Sequence, residues 1–510
     1  MSKHFLLAVT LLASLPAQDL KTTVNEVINT NPVILERLKN YNATKEDISS
    51  AEADYYPQLN LSLGVGIEKT DKTNQANGVA DTHDSYNIYQ NSLTYTQNLF
   101  NGFSTTYQVK GQEYKTVSAA YSYIEKVNDR SFAMVNQYIE VIKNQELLEN
   151  AQENIDIDQE IFERVQKLYD SGLTTLSEVN KIESSLALAK SNYVVQENTV
   201  LNNDFQLATI LGRALDVKTM LKPTLNVALP STREEAAEFA IHNNPSILVS
   251  KFNIKLAQAT NQEKKSVYYP KIDVSVSQSM NKNLSTIEGH NDAFKAMVLL
   301  SYNIFNGFSD TAALQKSVSL IHQEVESKNN IQRQIIEGLN LAYIANTKLE
   351  EQLVHLQNYK KYSEKTLTLY KKEYDLGRRS LLDLLSAQND FIRSKAQIIT
   401  TQYSILFAKY RILDAMGILV DTLLGDKNSA YGNVSLVATT TPISKDTLPI
   451  KYDKDMDLIS DDIDLCHNSL SSQMKNSYGC LLKDDKIAQI ERYNEFLFLG
   501  EKFLSSKKLN

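Results

Sequence analysis
The chain is written twice, and no other feature of the sequence limits its fold so severely. LFNGFS at 99–104 returns as IFNGFS at 304–309, an offset of 205 residues. Gly172 and Gly377, in LYDSGLTTLSEV and EYDLGRRSLLDL, stand at the same offset of 205, as do Gly212 and Gly417. Upstream, NTNPVIL pairs with HNNPSIL (Pro32, Pro245) and DYYPQLNLS with VYYPKIDVS (Pro57, Pro270), both at an offset of 213. The connection between Pro57 and Phe100 is therefore eight residues longer than its twin. Two long units argue against a solenoid of many short ones.

Each unit switches between two periodicities. After Pro57, which ends the preceding helix, Leu59, Leu61, Leu63, Val65 and Ile67 alternate with polar or small residues. That period of two marks a strand with one apolar face. Strands are predicted at about 57–68, 88–100, 270–280 and 294–305, with the extra eight residues in the polar loop KTDKTNQANGVADTHDS. Each run is about 11 residues, the length of a tilted membrane-spanning strand, and tyrosines (Tyr55, Tyr56, Tyr268, Tyr269) stand at the ends, where aromatic girdles sit. Two soluble hairpins packed on a partner would satisfy the same pattern.

The repeated Asn-Gly lies where each hairpin gives way to helical spacing, with Ser104 or Ser309 predicted to cap the first amides. Apolar residues then recur every three or four positions, predicting helices at 104–171, 174–211, 309–376 and 379–416. The longer ones would span about 100 Å. Gly172 and Gly377 are predicted left-handed stops. A hydrophobic content of 42%, no Trp, and only 16 Gly and 9 Pro suit long exposed helices better than a string of globular domains.

Four strands cannot close a barrel, since about eight is the smallest number that fills properly. Copies of the chain must pool strands if a barrel forms. The net charge of −8, without a basic stripe, argues against a nucleic-acid partner. Residues 1–17 have the charged, apolar and small-residue order of a secretory signal peptide. No later run of 18 apolar residues predicts a membrane-spanning helix. The seven His lack an HExxH pattern, and no phosphate loop or GxSxG turn occurs, so no enzyme activity is expected.

Over roughly residues 18–420 the order of helix, YYP, strand pair, LFNGFS, long helix, glycine turn and return helix resembles, twice over, the TolC-type outer-membrane efflux and secretion channels. The resemblance implies a mainly α fold with a β-barrel portion. Residues 18–215 form a first repeat and 216–420 a second, each a β-hairpin continued by a very long antiparallel helical hairpin. It further implies a homotrimer with a 12-stranded barrel in outer-membrane lipid and a helical tunnel across the periplasm. Such a channel serves a periplasmic adaptor and an inner-membrane ABC or RND pump, in efflux or type I secretion. A structural coiled-coil spacer of the envelope, without transport, is the alternative.

By the same resemblance, Tyr374 and Arg379 match residues that tie the inner helix pair to its neighbours, and Ser177 and Glu178 match their partners. An Arg–carboxylate bridge is directional and exchangeable, as a latch requires. Asp383 matches a carboxylate ring at the constriction, and Ser386 stands where a second ring is usual. Gly172, Leu173, Gly377 and Arg378 match adaptor-docking turns. Without the resemblance, Glu178, Arg379 and Asp383 read as solvated helix-end charges.

The tail, 421–510, lies outside the duplication. Asp453, Asp455, Asp457, Asp461, Asp462 and Asp464 fall within twelve residues and resemble the thrombospondin type 3 calcium repeat, also found in OmpA-like proteins, over about 453–480. Close carboxylates suit Ca²⁺, although Leu458 replaces the usual Gly. No other cofactor is expected. Cys466 and Cys480, the only two cysteines, bracket this module and form an expected disulfide. A disordered acidic tail with two free thiols has the same composition.

Overall fold
The computed structural model describes residues 18–72, 82–225, 229–230, 232–283, 288–425, 431 and 434. Each repeat opens with two short helices, α1 (Leu20–Thr30) and α2 (Pro32–Glu52) in the first, α5 (Arg233–Asn243) and α6 (Pro245–Lys264) in the second. Asn31 and Asn244 join each pair. Each side chain accepts an amide of the following helix and donates to the end of a return helix, at Ile210 O (3.0 Å) and Ala415 O (2.9 Å). The duplication is thus kept down to single hydrogen bonds.

A 3₁₀ turn, Ala53–Tyr55 or Lys265–Tyr268, leads into each hairpin. Strands β1 (Gln58–Lys72), β2 (Thr82–Asn101), β3 (Lys271–Lys282) and β4 (His290–Ser301) form one antiparallel sheet in chain order, so β1 and β4 are its edges. The first hairpin is longer than predicted, and β4 starts and stops four residues early, ending at Ser301 rather than 305. The alternating row of β1 points outward into open space, with Val65 77% exposed. No helix among the described residues is long and apolar enough to cross a membrane.

Helices α3 (Ser104–Asp170) and α4 (Leu176–Leu211) make the first long hairpin, α7 (Ser309–Asp375) and α8 (Leu381–Ala415) the second. They lie in the order α4–α3–α8–α7, and α3 also packs along α2 and α6. The short helix α9 (Leu419–Leu424) closes the second repeat. The main core gathers where the two repeats meet, around Val27, Val127, Met134, Tyr138, Leu207, Tyr410 and Leu419. The buried Tyr138 hydroxyl lies 2.9 and 2.8 Å from the backbone carbonyls of Gln18 and Leu221, which satisfies it where water is excluded.

The predicted serine caps are not the ones used. Phe103 and Phe308 are the N-caps, at φ 67° and 63°, while Ser104 and Ser309 are already helical and no side chain caps the turn. Edge-to-face rings, Phe100 on Phe103 at 5.3 Å and Phe305 on Phe308 at 5.4 Å, hold this left-handed backbone.

Candidate functional site
The far ends of the helical hairpins repeat one design. Helices α3 and α7 stop at Gly172 (φ 71°) and Gly377 (φ 67°). The amides of Leu173 and Arg378 return to Leu168 O and Glu373 O at 2.8 and 2.9 Å, and the glycine amides return to Tyr169 O and Tyr374 O. That double closure needs a left-handed residue, which glycine supplies without strain. The turns leave Leu173, Leu376 and Arg378 exposed.

Behind the turns a small core of Ile161, Val165, Val179, Ile182, Leu381, Leu384 and Leu385 locks the two hairpins together. Tyr374 belongs to that core, 7% exposed, and its hydroxyl donates to Glu178 Oε2 at 3.1 Å. Thr174 Oγ1 donates to the same oxygen at 2.6 Å. Burial, then the neighbouring Glu178 carboxylate, push the Tyr374 phenol well above its ordinary range, so it remains a donor.

Arg379 does something else. Its Nε and Nη2 lie 2.9 and 2.8 Å from Glu373 Oε2, and its guanidinium stacks 4.1 Å from the Tyr370 ring centroid. All three residues belong to the second tip, so within one chain Arg379 does not reach Ser177 or Glu178. Ser177 Oγ instead meets Thr175 Oγ1 at 2.8 Å. Asp383 belongs to the N-cap of α8: Ser380 Oγ accepts the Asp383 amide (3.2 Å) and donates to its carboxylate (2.8 Å). Ser386 lies one turn further along α8, exposed.

The ties that join the hairpins at this level are ones the sequence reading missed. Arg164 Nη1 on α3 meets Asp375 Oδ1 on α7 at 2.5 Å, and Lys371 Nζ meets Glu160 Oε2 at 2.5 Å. Within α3, Glu160 and Arg164 also form a looser i,i+4 ion pair at 3.8 Å. Deeper along the hairpins, Asp158 is almost fully buried and accepts from Gln388 Nε2 (2.7 Å) and Ser185 Oγ (3.3 Å), linking α3, α8 and α4. Burial raises its pKa, and the two donors work against that.

Nearer the junction of the repeats, a cavity of about 240 Å³ opens between α3, α6, α7 and α8, lined in part by Asn128, Asp129, Arg411 and Asp414. Burial first, then the Asp129 charge, push the Asp414 carboxyl up to about 7, with Arg411 opposing. Among the described residues no group of three His, Cys, Asp or Glu is placed to hold a metal. The expected signal peptide at 1–17, the expected calcium ligands Asp453, Asp455, Asp457, Asp461 and Asp464, and the expected disulfide pair Cys466 and Cys480 lie outside the described residues.

The family model of the outer membrane efflux proteins matches residues 23–213 and 237–418. The chain is 21% identical over 390 residues to the outer membrane efflux protein BepC of Brucella suis, covering 76% of this chain and 82% of that one. To the outer membrane protein TolC of Vibrio cholerae it is 20% identical, covering 82% and 95%. The fold superposes on the CmeC outer membrane channel of Campylobacter jejuni with a TM-score of 0.69 at 14% identity, covering 82% and 90%. The VceC outer membrane protein of Vibrio cholerae gives 0.65 at 15% identity, covering 78% and 96%. The two matched stretches fall on the two repeats, each with its strand pair and long helices: this chain belongs to the outer membrane efflux protein family.

Proposed function
We propose that three copies of this chain build a 12-stranded barrel continued by a helical tunnel, the outer-membrane conduit of a tripartite export machine. The observation that carries this reading is that each layer has two unfinished edges on the same two sides. The sheet ends in β1 and β4, and the helical row ends in α4 and α7. Both outer helices carry large exposed hydrophobic side chains, Val195 and Phe205 on α4 and Ile344 and Tyr362 on α7. A four-stranded sheet is too narrow to close, and lipid tolerates no open sheet edge.

In this reading the tips face the periplasm. Exposed Leu173 and Leu376, beside Gly172, Gly377 and Arg378, offer an adaptor two similar docking turns per chain, and the adaptor couples the conduit to an inner-membrane pump. Tyr374 with Glu178 holds the tips together, Arg379 stiffens the second turn, and Asp383 with Ser386 lines the narrowest point. The test is direct. In mild detergent the protein should run as a trimer, and in planar bilayers it should conduct ions. A trimer that never conducts would identify a spacer, and a monomer that inserts into membranes would rule out the pooled barrel.

A further inference from the structure
The duplication reveals what each free edge lacks. Residues of β2 and α3 recur 205 positions later and residues of β1 recur 213 positions later. The hairpins keep this mapping, since Gln58 faces Thr96 as Lys271 faces Ser301. One joint, between β2 and β3, has no second example among the described residues. There the turn Lys265–Tyr268 seats so closely on Gly102 that a Cβ at Gly102 would lie 2.5 Å from Ser266 O and 2.9 Å from Tyr269 Cβ. The Phe103 ring meets Tyr269 edge-on at 5.8 Å.

The second copy of that turn has the same backbone and no occupant. Gly307 and Phe308 sit at φ 58° and 63°, against 66° and 67° for Gly102 and Phe103. Nothing lies within 4 Å of a Cβ built on Gly307, and Phe308 is 75% exposed. The residues before it behave likewise. Gln97–Asn101 are strand, paired with β3, whereas their counterparts Tyr302–Asn306 form no strand. The same sequence pattern is ordered as strand where a neighbour pairs with it and not where none does.

We propose that residues 294–308 of one copy are completed by residues 53–69 of a second copy, in the register that β2 and β3 already use. This rests on the pooled-barrel reading, which requires a joint without saying which residues meet. Transferring the internal register places Ser301 opposite Ser62, Leu300 opposite Leu63, Val298 opposite Val65 and Lys295 opposite Glu68. Phe308 then packs on Tyr56 as Phe103 packs on Tyr269.

Three observations favour this occupant. The turn Ala53–Tyr55 is the structural twin of Lys265–Tyr268, and Tyr56 after it is exposed. Apolar residues face apolar ones on the outward side, while Leu299 and Met297 fall opposite Gly64 and Gly66, so a one-residue slip would mismatch both faces. Lys295 meets a carboxylate where the internal joint has the neutral pair Gln90 and Asn281. A two-residue slip would trade Glu68 for Gly66 or Thr70, losing a favourable cross-strand pair. The contact is head-to-tail, the interface class from which closed rings are built when successive rotations sum to a full turn.

Cysteine pairing in the full chain carrying Cys466→Ser and Cys480→Ser tests the register. Residues directly opposite lie about 4.5–5.5 Å apart at Cα, within disulfide range. Diagonal neighbours, at about 7–8 Å, fall outside it. Ser62→Cys with Ser301→Cys should therefore crosslink between copies, giving covalent dimers and trimers on oxidation. Ser62→Cys with Leu299→Cys should give at least about fivefold less. Independently, Lys295→Glu should reduce the detergent-resistant trimer, and adding Glu68→Lys should restore it. Crosslinking through Leu299→Cys instead would overturn the register but leave the pooled barrel standing. A trimer in which neither pair crosslinks and charge reversal has no effect would overturn this joint. A monomer under all conditions would remove the pooled-barrel reading itself.

Discussion
Tyr374 and Asp414 show how one side chain can set the behaviour of a helix pair. Tyr374→Phe keeps the ring in the core and removes one bond to an ionised carboxylate, a loss of about 1.5–3 kcal/mol at most. Thr174 still serves Glu178, so the trimer should assemble normally while single-channel conductance rises. Arg164→Ala with Lys371→Ala should raise it too, each bridge being half-exposed and worth about 1 kcal/mol or less. Unchanged conductance in both variants would show that the tips are held elsewhere. Asp414 predicts a pH effect of definite sign. Its carboxyl ionises near 7 in the fold and near 3.8 otherwise, so the folded chain binds the extra proton between those values. Stability is therefore lost as pH rises from about 4 to about 7. Asp414→Asn should flatten that window and stabilise the protein at pH 8 by on the order of 1–3 kcal/mol. Thermal unfolding of both proteins across the window measures this, and parallel curves would contradict it.

At the scale of elements, the glycine turns were the most legible feature and the caps the least. Gly172 and Gly377 announce a left-handed stop from sequence alone, and α3 and α7 end at Asp170 and Asp375 against predicted ends at 171 and 376. Ser104 and Ser309 misled because serine is a good cap in general, whereas here aromatic packing holds Phe103 and Phe308 in that position. The end of β4 was unreadable for a different reason: Tyr302 and Ile304 continue the alternation, but strand structure needs a partner, and no strand pairs with them among the described residues. Among site residues, Tyr374 met Glu178 within one chain. Arg379 did not, because Glu373 in the preceding turn is nearer than anything on the first hairpin. The Arg164–Asp375 bridge was invisible, since nothing in spacing shows which faces of two distant helices meet. The open surroundings of Gly377 give a further expectation. No atom would touch a Cβ there, so Gly377→Ala costs only left-handed strain, about 1–2 kcal/mol. Limited proteolysis at the second tip should quicken in that variant, and Gly377→Asn should largely restore protection. Equal protection in all three would mean the turn does not depend on its backbone conformation.

Across the described residues the molecule has two dissimilar sides, β1 with α4 and β4 with α7. Phe205 is 70% exposed on the α4 side, and Phe205→Asp should abolish the trimer in mild detergent by placing a charge in the joint between copies. A trimer of normal stability in sedimentation would show that the α4 row faces solvent. Because the sides differ, damage to them has different genetics. A copy spoiled only at β4 and α7 still offers an intact β1 and α4, enters a ring, and leaves one joint open. Expressed in equal amount with the normal chain, it leaves about one ring in eight sound, since all three members must be normal. A copy spoiled on both sides joins nothing and is silent beside the normal chain. The lesser injury is dominant, and the greater one recessive.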